Sequence, residues 1–279
     1  MAILPRRPLE WRGQHRGDSS LAWFAQRSNR WFWWQACGVR MKQGWEREAE
    51  NWARFTRVPG HDRAHEDINL PVLRELLPPP GCRTLDFGCG EGRIGRLLQS
   101  LGHQVAGIDA SPSMVKLARG HQVRPAAAVA DGAALPFGDE VFDLVVAYMA
   151  LHDVDNLVGA AAEIARVLEP NGRLCAAIVH PLNSAGEFEG SDGDAPFVIS
   201  GSYADAFPVS DVVDRDGVRL TFHSEHRPLE VYSRALEAAG MLIEAIREPK
   251  ADDRLVASNP SNRRWARVPL FLHLRAVKP

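Results

Sequence analysis

The densest chemistry in the sequence is the run Asp86-Phe87-Gly88-Cys89-Gly90-Glu91-Gly92, an acid at the end of an apolar stretch followed by closely spaced glycines. Glycine is needed in such a turn because any Cβ would keep a ligand off the backbone, and because the turn demands unusual backbone angles. Gly90, Gly92 and Gly95 formally satisfy G-x-G-x-x-G, and Asp109 follows at the distance typical of a dinucleotide site. Asp86 argues against that reading, since a carboxylate just before the glycines repels a pyrophosphate and suits an ammonium group. Further acids stand at Asp109, closing Val105-Ala106-Gly107-Ile108-Asp109, and at Asp131 in Ala130-Asp131-Gly132. His152, His180, His223 and His226 are placed where an imidazole could move a proton or touch a substrate. Each has a structural reading as well: His152 as a packing residue capping a helix, His180 before Pro181 as a strand-ending turn, His223 and His226 as a solvated helix start.

The elements that must position these residues alternate along the chain. Apolar runs predict strands over 84–87, 105–109, 126–130, 142–147 and 173–179, with helical patterns over 93–100, 112–119 and 157–168 between them. That rhythm implies a parallel sheet covered on both faces, with ligands at the carboxyl ends of its strands. A late helix opens at Pro228 and closes at Gly240, and strands near 242–246 and 268–276 finish the sheet. Upstream, Trp45, Ala49, Trp52 and Phe55 recur at helical spacing over 43–55, and a second helical segment over 68–77 stops at Pro78-Pro79-Pro80-Gly81. Between roughly 181 and 222 the pattern dissolves into Gly, Ser, Asp and Pro, a stretch too long for a routine connection and suited to a lid or binding loop. Residues 1–40, rich in Arg and Trp, show no periodic element. The expected division is a 1–40 extension of unclear structure, a helical lid over 41–80, and one catalytic domain over 81–279 with a cap at 181–227.

Composition narrows the function classes. Hydrophobic residues at 45% and charged residues at 24% describe a globular chain, and a net charge of -2 provides no field for phosphate backbones, so nucleic-acid binding is not expected. The four cysteines, Cys37, Cys82, Cys89 and Cys175, form no Cys-x-x-Cys pair, which points to reduced thiols and a cytoplasmic protein. No membrane span and no export signal are expected, and no pair of histidines stands with a Cys or carboxylate at zinc spacing, so no metal is expected either. Arg263-Arg264-Trp265 with Arg267 could hold an anion but reads more simply as a solvated loop.

Five blocks in order, from about residue 84 to 174, make the chain resemble the class I S-adenosylmethionine-dependent methyltransferases, in the methyltransferase type 11 branch related to ubiquinone and menaquinone biosynthesis. The blocks are Asp86–Gly92, 105–109, 130–137, 142–152 and 166–174, the last carrying Glu169 and Asn171 where the family commonly has Lys and Gly. The resemblance implies a Rossmann-like, doubly wound α/β fold, its seven-stranded sheet mostly parallel with the last strand antiparallel, plus N-terminal helices and an insertion after strand five that cap the substrate. It implies S-adenosylmethionine as cofactor and S-adenosylhomocysteine as product. Asp86, Gly88 and Gly90 would hold the methionine part, Asp109 with Ala110 the ribose, and Met114, Asp131 and Gly132 the adenine; Ala147 and Tyr148 would lie near the sulfonium. His152 is the candidate catalytic residue.

Methyl transfer from a sulfonium needs alignment above all, and a base only for some acceptors. The expected acceptor is a small aromatic or hydrophobic metabolite, methylated on O, N or C. The aromatic N-terminal region and Phe188, Phe197, Tyr203 and Phe207 of the insertion suggest that class. Trp52, His180, Tyr203, His223, His226 and Arg227 are the candidate substrate contacts, and a homodimer is possible. Two other readings remain open from the sequence: a nicotinamide-dependent oxidoreductase and a non-catalytic cofactor-binding module.

Overall fold

The computed structural model describes residues 41–81, 83–120 and 126–279. The expected 1–40 extension, with Cys37, and Cys82 lie outside the described residues. The described chain opens with α1 (Met41–Arg57), a π-helical turn (His65–Asn69) and α2 (Leu70–Leu76). Then come β1 (Thr84–Phe87), α3 (Arg93–Ser100), β2 (Val105–Asp109), α4 (Pro112–Arg119), β3 (Ala126–Val129), β4 (Phe142–Tyr148), α5 (Leu157–Val167) and β5 (Leu168–Val179). The insertion holds α6 (Pro181–Ala185), β6 (Glu187–Phe188), β7 (Phe197–Val198), β8 (Phe207–Arg215) and β9 (Val218–His226). It is followed by α7 (Leu229–Ala238), β10 (Leu242–Arg247), α8 (Asp253–Ser258), α9 (Arg263–Arg267) and β11 (Phe271–Val277).

The main sheet has seven strands in the order β10-β11-β5-β4-β1-β2-β3. β1 through β5 run parallel, and β11 lies antiparallel between β5 and β10. β4 takes the middle because Leu144, Val145, Val146 and Ala147 are an unbroken apolar run, the pattern of a strand covered on both faces. α5 covers one face with Leu157, Ala160, Ala161 and Ile164, spaced as one helical stripe. Its start is fixed by Asn156, whose side chain accepts from the Gly159 amide; Ser111 does the same for α4 by accepting from Met114. Chain order reverses direction beside β1, with β2 and β3 on one side and β4 and β5 on the other, and the crevice at that switch is where such sheets bind ligands.

Two strands start at residues other than those the sequence pattern gives. β5 begins at Leu168 rather than 173, absorbing the turn at Asn171 (φ 65). β11 begins at Phe271 rather than 268, because Val268 and Leu270 pack with Trp265 instead of entering the sheet.

The insertion is more regular than expected. β8 and β9 pair along their whole length as a hairpin separate from the main sheet, with Arg215 opposite Val218 around the turn Asp216-Gly217. Both turn residues have positive φ, 49° and 76°, the mirror-image turn whose twist suits a two-residue hairpin. The hairpin buries Val213, Val218 and Leu220 against Phe55 of α1.

Candidate active site

The carboxyl ends of β1, β2, β3 and β4 open into one cavity of about 390 Å³. Gly88 and Gly90, leaving β1, have φ of 72° and 54°. The Gly88 and Cys89 amides donate to the Ile108 carbonyl at 2.9 and 2.8 Å, which ties the turn to β2. A Cβ on Gly88 would stand 2.6 Å from that of Ala150, and one on Gly90 would point toward Trp52 Nε1 at 3.6 Å, across a cavity both residues line. Asp109 ends β2 with each carboxylate oxygen accepting one backbone amide, Ser111 at 2.8 Å and Gly90 at 2.9 Å. Burial raises its pKa against those two hydrogen bonds. Ala110, Met114, Asp131 and Gly132 continue the wall; Asp131 accepts from the Ala133 amide at 2.9 Å, and the Phe87 ring fills the space where a Gly132 side chain would begin.

Asp86 lies behind this wall rather than on it. It is fully buried, its Oδ2 has no hydrogen-bond partner among the described residues, and burial, then the neighbouring Asp109, push its pKa up to about 7. Such a cradle fits a nucleoside diol together with a cationic amino group, and disfavours a pyrophosphate.

The half of the cavity over β4 has different chemistry. The Tyr148 hydroxyl and His65 Nδ1 share a 2.6 Å hydrogen bond, and Asn69 hydrogen-bonds the same phenol. Burial pushes His65 down to about 4 and Tyr148 well above its usual range, so both stay neutral at pH 7. Arg93 is held by Asp62 at 2.8 Å and lies 5.1 Å over the Trp52 ring. His152 lines the same cavity, neutral because burial lowers its pKa to about 3; its Nε2 is 3.4 Å from Asp153 and its Nδ1 has no partner among the described residues.

α1 and the β8–β9 hairpin form the cover. Glu46 accepts from the Ser113 hydroxyl at 2.7 Å and from the Ser111 hydroxyl, clamping α1 onto the start of α4. Trp45 Nε1 donates to the His223 carbonyl at 3.1 Å, and Trp45, Trp52 and Phe222 meet edge to face at 5.8 to 6.0 Å.

Of the residues expected in the site, the structure brings Trp52, Gly88, Gly90, Asp109, Ala110, Met114, Asp131, Gly132, Tyr148 and His152 to the cavity wall. Ala147 is buried inside β4, away from it. His180, Tyr203, His223, His226 and Arg227 also stand elsewhere, each occupied in joining the insertion to the core. His180 is 2.8 Å from Glu248 and accepts the Leu182 amide, starting α6. Tyr203 accepts from the Leu229 amide, and its carbonyl is 2.9 Å from His226 Nε2. His226 also hydrogen-bonds Ser184 at 2.7 Å and stacks on Phe207. Arg227 donates to the carbonyls of Leu151 and Val154, and the His223 ring sits over Gly44. Conversely, Asp62, His65, Asn69 and Arg93 line the cavity and were not singled out from the sequence. The signal for three of them was the polar run His61-Asp62-Arg63-Ala64-His65-Glu66-Asp67 before Asn69, too dense for an ordinary link between helices.

Residues 85–176 match the family model described as a methyltransferase domain. That stretch is similar to a methyltransferase domain. A malonyl-[acyl-carrier protein] O-methyltransferase of Enterobacter lignolyticus is 34% identical over 126 residues, 44% of this chain and 50% of that one. A ubiquinone biosynthesis O-methyltransferase of Xanthomonas axonopodis pv. citri is 31% identical over 164 residues, 56% of this chain and 59% of that one. The chain thus spans about half the length of these curated relatives. Among solved structures, an S-adenosylmethionine dependent methyltransferase from Mesorhizobium loti superposes with a TM-score of 0.62 at 27% identity, covering 74% of this chain and 96% of that one. The matched methyltransferase segment contains the glycine turn, Asp109, Asp131, Tyr148 and His152, whereas α1, the π-helical turn and the hairpin lie outside it. Among the described residues no group of three or more His, Cys, Asp or Glu is arranged to hold a metal ion, and no helix is long and apolar enough to cross a membrane.

Proposed function

We propose that this chain transfers a methyl group from S-adenosylmethionine to an O, N or C nucleophile of a small aromatic or hydrophobic metabolite. The observation that carries the reading is the Asp109 carboxylate, oriented by two backbone amides beside the glycine turn and facing one cavity with Asp131 and Met114. In this reading Asp109 and Ala110 take the ribose, and Met114, Asp131 and Gly132 take the adenine. The backbone of Gly88 and Gly90 takes the methionine part, with buried Asp86 favouring its ammonium group through the field it sets up. The cofactor supplies, when bound, a methyl group already activated on a sulfonium. The protein's own contribution is alignment and exclusion of water. Trp45, Trp52 and Phe222 close the cavity from above, and Tyr148 and His152 border the side where an acceptor would lie.

His152, neutral and with a free Nδ1, is suited to accept a hydrogen bond from an acceptor group and is the candidate for proton transfer. The aromatic wall supports an aromatic or hydrophobic acceptor as the small-molecule partner. Cys89 and Cys175 are free and buried, in keeping with a reducing cytoplasm. Calorimetry against S-adenosylhomocysteine and NAD tests the cofactor; binding of the first and not the second is expected. Labelled-methyl transfer to a panel of small phenols, amines and carboxylates tests the acceptor class. Absence of binding by both S-adenosylmethionine and S-adenosylhomocysteine would overturn the reading.

A further inference from the structure

The cavity joins two chemically distinct halves. Over β1, β2 and β3 it presents glycine backbone and acids; over β4 it presents aromatic rings and the cluster of His65, Asn69 and Tyr148. That cluster is built as a chain of orientation. His65 and Asn69 come from the same π-helical turn, a geometry that recurs at functional sites and here brings both side chains to one phenol. Its last member is left open: Asn69 is 1% exposed, lines the cavity, and its Oδ1 has no partner among the described residues. A buried amide oxygen without a donor is costly unless a ligand supplies one. The neighbourhood also has little free charge to offer. His65 and Tyr148 are neutral, and Arg93 is engaged by Asp62 and the Trp52 ring.

We propose that Asn69 Oδ1 is the specificity-determining contact of the acceptor subsite, and that it selects acceptors presenting a neutral hydrogen-bond donor, of which a phenolic hydroxyl is the simplest. The inference rests on the methyl-transfer reading above and names the class of molecule that reading leaves unspecified. The donor group donates a hydrogen bond to Asn69 Oδ1 while the attached ring lies against the aromatic wall. Tyr148 holds the Asn69 amide in place and His65 holds Tyr148, so both are positioning residues. A carboxylate would meet the unpaired oxygen with repulsion, and a bare hydrocarbon would leave it unsatisfied.

The test compares phenol with toluene, which has the same shape without the donor, each titrated into protein saturated with S-adenosylhomocysteine and followed by ligand-observed NMR. Phenol is expected to bind at least about tenfold more tightly than toluene. Asn69→Leu is expected to bring the two within about twofold while S-adenosylhomocysteine affinity stays near the wild-type value. Tyr148→Phe, with folding checked by thermal melting, is expected to narrow the gap in part, since Asn69 keeps its oxygen but loses its anchor. Equal binding of the two probes to the wild type overturns the proposal, as does a preference that survives in folded Asn69→Leu. If Asn69→Leu does not fold, Tyr148→Phe and the wild-type comparison still decide. Failure of S-adenosylhomocysteine to bind would instead count against the parent reading, and the probe titrations can then be run on the free protein.

Discussion

At the scale of single residues, Asp86 has a measurable consequence. Burial and Asp109 raise its pKa from 3.8 to about 7, so in the free protein it is largely protonated below neutrality. A group raised on folding contributes stability that is complete below its ordinary value and lost as pH climbs through the folded one, near 7. A bound ammonium favours the ionised form. Affinity for S-adenosylhomocysteine should therefore rise between pH 6 and 8, and calorimetry at pH 6 in buffers of different ionisation enthalpy should show proton release that Asp86→Asn abolishes. Asp109→Ala should cost about 3 kcal/mol of that affinity, roughly a hundredfold, because charged hydrogen bonds to the ribose are lost together with the anchors of Gly90 and Ser111; unchanged affinity in the same titration would remove the ribose assignment. These acids were legible from the sequence because each ends an apolar strand run. His65 and Asn69 were not, since the π-helical turn breaks the 3.6-residue period by which a helix face is recognised. The expected contacts His180, His226 and Arg227 do not line the cavity and share one feature: their side chains hydrogen-bond groups that tie the insertion to the core, and spacing alone does not separate that from ligand binding.

At the scale of elements, the cover is held by few, identifiable contacts. Glu46 joins α1 to α4 through Ser111 and Ser113, and that pairing keeps its carboxyl below the usual range despite burial raising it. Glu46→Ala should leave the sheet intact and speed cofactor release several-fold, read by stopped-flow displacement; an unchanged rate would show that α1 is held by its aromatic face alone. The hairpin depends on Gly217, whose Cβ position is empty, so Gly217→Ala tests backbone strain without a clash. Placing alanine at φ 76° should cost about 1 kcal/mol and lower the melting temperature by a few degrees. Asp216-Gly217 was also the missed sequence signal for this hairpin. An Asp-Gly pair between two apolar alternations marks such a turn, but β9 carries Thr221, His223, Ser224 and Glu225, whose polarity hides the alternation. Those residues are half-buried against α1 rather than sunk in a core, so hydrophobicity records them poorly.

At the scale of the whole molecule, the seven strands and their parallel core followed from the alternation of apolar runs with helical patterns, the inner strands burying what their periodicity said they should while edge strand β10 leaves Leu242, Ile243 and Ile246 exposed. What the alternation did not carry was the placement of parts added around the sheet, because their positions are set by pairwise packing between segments far apart in sequence, as with Phe55 and Leu220. The position of β11 has a further bearing. It follows every other described strand in sequence, yet it fills a slot between β5 and β10, pairing Phe271 through Val277 with Val179 back to Arg173. Until residue 277 has left the ribosome, β5 must wait with one flank open along Leu174, Cys175, Ala176, Ala177 and Ile178, an apolar template for any neighbouring nascent chain. A version ending at residue 270 should accumulate in inclusion bodies while the version that includes Phe271–Val277 stays in the supernatant, because only the second can close that flank of β5.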